Sequence, residues 1–132
     1  DLPGYGYAKV ARSEQERFSR LIEGYLHASR RLKHVFLLLD VRHAPTQDDL
    51  MMINWLSFYH VPFSVIATKA DKLSKAQLSR RRQELSRETG LIASEIFPVS
   101  SVTRQGKESI CDRLAMLLAH ENDAGDQNEL AE

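Results

Sequence analysis

The strongest constraint in this chain of 132 residues is an alternation. Three short apolar runs, "HVFLLLDV", "FSVIAT" and "EIFPVS", are separated by stretches whose apolar residues recur at helical spacing. The first two runs are of strand length and nearly continuous, the pattern of strands covered on both faces of a sheet. Between them, Asp48 and Asp49 open a segment with Met52, Trp55, Leu56 and Tyr59 on one side, stopped by Pro62. "LSKAQLSRRRQELSRETG" predicts the next helix, N-capped by Ser74 and closed near Gly90. An earlier helix is predicted over Ser13 to Leu32, with Phe18, Leu21, Ile22, Tyr25 and Leu32 in register and Ser13 and Glu16 in capping-box form. A last one is predicted over Gly106 to His120, with Ile110, Leu114, Leu117 and Leu118 as its stripe. Residues 121–132 are polar and acidic and are expected to be a disordered tail, leaving 1–120 as one domain.

Strand and helix in regular alternation imply right-handed crossovers. The expected fold class is therefore α/β, three-layer, with a mostly parallel sheet and helices on both faces. In such sheets a ligand sits beyond the carboxyl ends of the strands. Three stretches fall there: Asp40 to Gln47, Thr68 to Lys72, and Ser100 to Gln105. Lys and Arg total 18 and Asp and Glu total 18, so no global field for a polyanion is implied. The single cysteine, Cys111, excludes an intrachain disulfide and suits a reducing cytosol. No apolar run, Val35 to Leu39 included, is long enough to span a membrane. A cytoplasmic protein with no membrane partner is expected.

At the second strand end stands "ATKADK". A carboxylate offers two acceptor oxygens in one plane, and guanine presents two adjacent donors, the ring N1–H and the exocyclic amine. Adenine has an acceptor at N1 and no amine beside it. One aspartate thus favours guanine by a bidentate, charge-assisted pair. Asp71 is the candidate. Lys69 would lay its methylene stem along the base face, and the Thr68 hydroxyl can tie neighbouring loops together. The same four residues also fit a solvated turn before a helix cap, and only their place after a buried strand raises the chemical reading. At the third strand end, "FPVSSVTRQG" offers backbone N–H groups for a guanine O6, with Ser100 and Ser101 small enough for close approach. A plain Ser- and Thr-rich turn is the competing reading.

Two glycine patterns fail. "RQGKES" lacks the phosphate loop G-x-x-x-x-G-K-[ST], because Ser101 stands at the first glycine and Glu108 follows Lys107. A carboxylate there would repel phosphate. Gly106 is instead expected to open the last helix. "GYGYAKV" does not complete G-x-G-x-x-G.

Taken in order, Asp1-Leu2-Pro3-Gly4, Thr68-Lys69-Ala70-Asp71 and Val99-Ser100-Ser101 are similar to the later nucleotide motifs of P-loop GTPases. "DLPGYGYAKV", "LLLDVRHAPTQDDLMMINWL" and "TKADKLSK" together resemble the EngB (YihA/YsxC) family of bacterial GTPases, over residues 1 to about 120. The resemblance implies that Asp1 contacts Mg2+ through water and that the Gly4 N–H meets the γ-phosphate. It implies that Thr68, Lys69 and Asp71 hold guanine and that the Ser100–Ser101 loop closes over it. The ligands expected are GTP and GDP with magnesium, on a guanine-nucleotide switch implicated in assembly of the large ribosomal subunit, with that subunit or its rRNA as partner, and in division and septation. A monomer is expected of the intact protein.

The phosphate loop and the first switch of that family do not occur in these residues. The chain is expected to lack an N-terminal part and to bind or hydrolyse GTP weakly by itself. Tyr5 stands where many GTPases carry a water-orienting glutamine, so slow unassisted hydrolysis is expected of the intact protein. The alternative function is a nucleotide-independent module with a GTPase-like sheet, binding RNA or protein.

Other residues carry weaker signals. Arg42 and His43 suit a switch or partner surface, or a polar loop ahead of a helix favoured by Asp48 and Asp49. "RRLKH" and "SRRRQELSR" suit RNA phosphate, or a solvated face in which Glu84 and Glu88 interleave. Cys111 is expected in the core rather than as a nucleophile, and Trp55 and Tyr59 are expected to pack rather than stack on bases.

Overall fold

The computed structural model describes residues 34–129 together with Glu16, Arg20, Glu23 and Gly24. Those four are helical, in the segment read as the first helix; the rest of that segment lies outside the described residues. The three apolar runs form strands β1 (Val35–Asp40), β2 (Phe63–Thr68) and β3 (Ile96–Pro98). They are parallel and lie in sequence order. Helices α1 (Gln47–Phe58), α2 (Lys75–Thr89) and α3 (Lys107–Glu129) alternate with them.

The helix ends follow local chemistry. Thr46 caps α1: its hydroxyl accepts from the Asp49 N–H at 3.1 Å, while the Asp49 carboxylate accepts from the Thr46 N–H at 2.8 Å. Ser74 and Gln77 make the same reciprocal pair on α2. Gly90 closes α2 in the left-handed conformation, φ 74°. α3 runs to Glu129 rather than ending near His120. Its extension contains no proline, and a single Gly125 costs a helix only about 1 kcal/mol.

Register sorts the strand side chains onto two faces. Val35, Leu37 and Leu39 stand beside Phe63, Val65 and Ala67, and Ile96 joins them from β3. This face carries the core, closed by Met52, Ile53 and Leu56 of α1 and Leu85 of α2. Helices on one face follow from right-handed crossovers between strands taken in sequence order. α3 comes to the opposite face. There Arg113 pairs with Glu95 at 3.1 Å, Glu95 accepts from Ser64 at 2.6 Å, and Ser64 meets His34 Nε2 at 2.7 Å. This chain of contacts links α3 to the turn before β3, to β2 and to the start of β1, and the Ser64 hydroxyl is fully buried within it.

Two expectations need correction. β1 was expected to be covered on both faces, yet Leu38 on the α3 side is 62% exposed among the described residues. α3 covers less of that face than its apolar content suggested. Over residues 107–120, where its burial is described, it is half-buried only at Ile110, Arg113 and Leu117, a narrow line at spacings of three and four. Leu114 and Leu118 therefore point outward, and Cys111, expected in the core, is exposed. No described helix is long and apolar enough to cross a membrane.

Candidate functional site

The carboxyl ends of the three strands converge on one edge. β1 ends at Asp40 beside Thr68, the last residue of β2. The Thr68 hydroxyl donates to the Leu39 carbonyl at 3.2 Å, so it ties β2 to β1. Lys69 then adopts a left-handed backbone, φ 60° and ψ 34°, and a single 3-10 turn follows over Ala70–Lys72. A left-handed lysine costs about 1–2 kcal/mol, which surrounding contacts must offset. Those contacts come from the next strand. The Ala70 N–H donates to the Val99 carbonyl at 2.9 Å, and the Val99 N–H donates to Ala67 at 2.9 Å.

Ser100 organises the loop beyond β3. It is 3% exposed. Its hydroxyl donates to Asp71 Oδ1 at 2.7 Å and accepts from the Val102 and Thr103 N–H groups at 3.2 Å. Its own N–H donates to Gln105. The loop closes on Gly106, whose φ of 82° only glycine adopts readily; an added Cβ would overlap the Pro98 carbonyl and press on Val99. Gly106 immediately precedes α3, as expected.

The structure thus brings Thr68, Lys69, Ala70 and Asp71 together with Val99, Ser100 and Ser101, two stretches far apart in sequence. The Asp71 side chain is 15% exposed, with Lys72 Nζ 3.7 Å away. The Ser100 hydroxyl, with a backbone donor and Lys72 assisting, holds the Asp71 carboxyl below the usual aspartate range. It is a poised acceptor, ionised at neutral pH. Asp1, Leu2, Pro3, Gly4 and Tyr5 lie outside the described residues. Among the described residues no group of His, Cys, Asp or Glu is arranged to hold a metal ion, and the magnesium expectation rests on Asp1.

One residue of this edge was not singled out from sequence. Asp40 accepts from the Arg42 guanidinium at 2.8 Å through Nη2, from its Nε at 3.1 Å, and from its backbone N–H at 3.0 Å. Lys69 Nζ stands 3.1 Å from the same carboxylate. The Arg42 fork first, and Lys69 after it, hold Asp40 well below the usual carboxylate range. A strand-end aspartate with arginine two residues on was the available signal.

Known proteins are similar to this chain in sequence and in fold. A protein of Gemmatimonas aurantiaca called "Probable GTP-binding protein EngB" is 46% identical over 119 residues, 90% of this chain and 58% of that protein. One of the same name from Caldanaerobacter subterraneus is 42% identical over 110 residues, 83% of this chain and 57% of its own length. The chain belongs to the EngB family. It spans less than three fifths of the length of these EngB relatives. No protein-family model matches the chain. A solved structure titled "Crystal structure of a probable GTP-binding protein engB" superposes with a TM-score of 0.74, covering 91% of this chain and 77% of that one at 19% identity. At that identity the likeness shows a shared fold, an α/β arrangement of the P-loop GTPase kind.

Proposed function

We propose that this edge of the sheet reads the base of a guanine nucleotide, GTP or GDP. The observation that carries the reading is the Ser100–Asp71 pair. One Asp71 oxygen is fixed by the buried hydroxyl at 2.7 Å, which orients the carboxylate from behind. A carboxylate oxygen has two lone pairs, so both oxygens still accept from guanine N1–H and its amine. Adenine would set a lone pair against that charge. The Val102 and Thr103 N–H groups already serve Ser100, whereas the Ser101 N–H has no partner among the described residues and suits guanine O6. Lys69 Nζ is held 3.1 Å from Asp40, and its methylene stem would lie along the base face.

The EngB relatives support nucleotide binding through their names. The finer roles are part of the proposal: a guanine-nucleotide switch in assembly of the large ribosomal subunit, acting on that subunit or its rRNA in the cytoplasm, with a role in division and septation. Magnesium would act at the phosphate end through Asp1, and Tyr5 would leave hydrolysis slow without an outside group to orient water. The residues described above do base recognition only. Titration of the chain with guanosine and adenosine diphosphates tests this. A preference for guanine is expected at low affinity, because backbone donors to phosphate supply much of the binding in such sites. Asp71→Asn should weaken GTP relative to xanthosine triphosphate, since an amide can donate to the xanthine carbonyl. An unchanged ratio removes Asp71 from the base site.

A further inference from the structure

Lys69 and Asp71 stand two residues apart on one tight turn, and a free lysine beside a carboxylate tends to pair with it. Here Lys69 does not. Its ammonium lies 3.1 Å from Asp40 Oδ2, at the end of the neighbouring strand. Asp40 is held for this by an unusual density of donors. The Arg42 Nε reaches both carboxylate oxygens, at 3.1 and 3.3 Å, its Nη2 reaches Oδ2 at 2.8 Å, and its backbone N–H reaches Oδ1 at 3.0 Å. A bidentate guanidinium fixes carboxylate orientation in a way a lysine cannot. The left-handed backbone at Lys69 is the local strain that accompanies this placement. Asp71 meanwhile keeps only a distant cation, Lys72 Nζ at 3.7 Å.

We propose that Asp40 is a positioning residue of the base site: clamped by Arg42, it draws the Lys69 ammonium away from Asp71 and so keeps the Asp71 carboxylate open to a ligand. The inference rests on the reading of Asp71 as the base acceptor. Without the Asp40 charge, Lys69 turns to its nearest remaining anion, Asp71, and competes there with the donors of the base. Arg42 is the second cation of this edge, and its pKa is raised first by Asp40, with Asp71 a minor cause. Arg42 loses the same partner in Asp40→Asn, and the Lys69→Met background separates its effect from that of the lysine.

The test uses the full chain with Asp40→Asn, Lys69→Met, the double variant and Asp71→Asn. Guanosine and adenosine diphosphates are titrated by ligand-observed saturation-transfer NMR, which reads millimolar affinities. The Asp71 carboxyl is followed by 13C NMR against pH. Wild type should prefer the guanine nucleotide. Asp40→Asn should lose roughly two- to fivefold in affinity, the scale of a partly exposed ion pair, and the Asp71 titration should move further down as Lys69 approaches. In the Lys69→Met background, Asp40→Asn should change neither quantity, because the residue acts through the lysine. An equal loss in both backgrounds, or no loss at all while Asp71→Asn abolishes the preference, overturns the positioning role and leaves the base reading standing. Absence of any guanine preference in wild type overturns the base reading and the positioning role with it. Should Asp40→Asn fail to fold, Lys69→Met decides alone. An unmoved Asp71 titration is expected if Asp40 holds the ammonium away. A rise shows that the lysine already acts on Asp71, which defeats the proposal.

Discussion

Gly106 and Gly90 form a matched pair that separates backbone strain from steric overlap. Both have positive φ, 82° and 74°. A Cβ at Gly90 would meet nothing within 4 Å, whereas one at Gly106 would run into the Pro98 carbonyl and Val99 Cγ1. Gly90→Ala should therefore cost only the left-handed term, about 1–2 kcal/mol. Gly106→Ala should cost that plus an overpacking term of about 1–3 kcal/mol, giving about 2–5 kcal/mol in all. Pro98 and Val99 are main-chain neighbours of Ser100, so the loop must shift and the Ser100–Asp71 bond at 2.7 Å should lengthen. Urea unfolding followed by circular dichroism at 222 nm measures both costs, and the Asp71 carboxyl titration reports the loop. Equal costs for the two variants, with Asp71 unchanged in Gly106→Ala, would refute the reasoning. Gly106 would then be tolerated by relaxation of the Pro98 segment.

Further outcomes follow from other contacts. Ser100→Ala should raise the Asp71 carboxyl toward the ordinary aspartate value, because the serine hydroxyl is the largest cause of its depression; 13C titration checks this. Ser64→Ala removes a fully buried hydroxyl that joins His34 to Glu95, and should cost about 1–3 kcal/mol in urea unfolding. Burial first, and Arg113 second, lower the His34 pKa. The unfolded chain thus binds this proton first. Stability should fall as pH drops from the ordinary histidine value through the folded one, and His34→Gln should flatten that part of the curve. Asp40, depressed mainly by Arg42, contributes stability that is present above the unfolded aspartate pKa and lost as pH falls through its much lower folded value. Asp40→Asn should therefore remove part of the acid-denaturation slope.

Much of the fold was legible because its signals are local. Val35–Asp40 and Phe63–Thr68 announce themselves as apolar runs, Ser74 and Gly90 mark both ends of α2, and Gly106 marks the entry to α3. The candidate site was legible through one rule about strand ends, which selected Asp71 and Ser100 before their contact was visible. What sequence did not disclose depends on register between distant segments. The Asp40–Lys69 pair needs β1 and β2 aligned so that Asp40 meets Thr68. The polar links through Ser64 need four elements at once, and a serine inside an apolar run gives no hint of its partners. Periodicity also misjudged α3, where Leu114, Leu118 and Cys111 share a helical stripe yet stay exposed. Helical spacing says which residues share a side, not how broad a surface meets it.

The buried Ser64 fixes a direction for protons. Its hydroxyl has one hydrogen, and that hydrogen goes to Glu95, whose carboxylate can only accept from it and from Arg113. The contact with His34 must then be donated by the ring, so neutral His34 carries its hydrogen on Nε2 and leaves Nδ1 bare. Acid adds its proton at Nδ1, on the side away from the serine. The bond to Ser64 survives titration, and the destabilisation comes first from burying a new charge and second from the field of Arg113, rather than from a broken link. Imidazole 15N shifts should accordingly report a single tautomer above the transition.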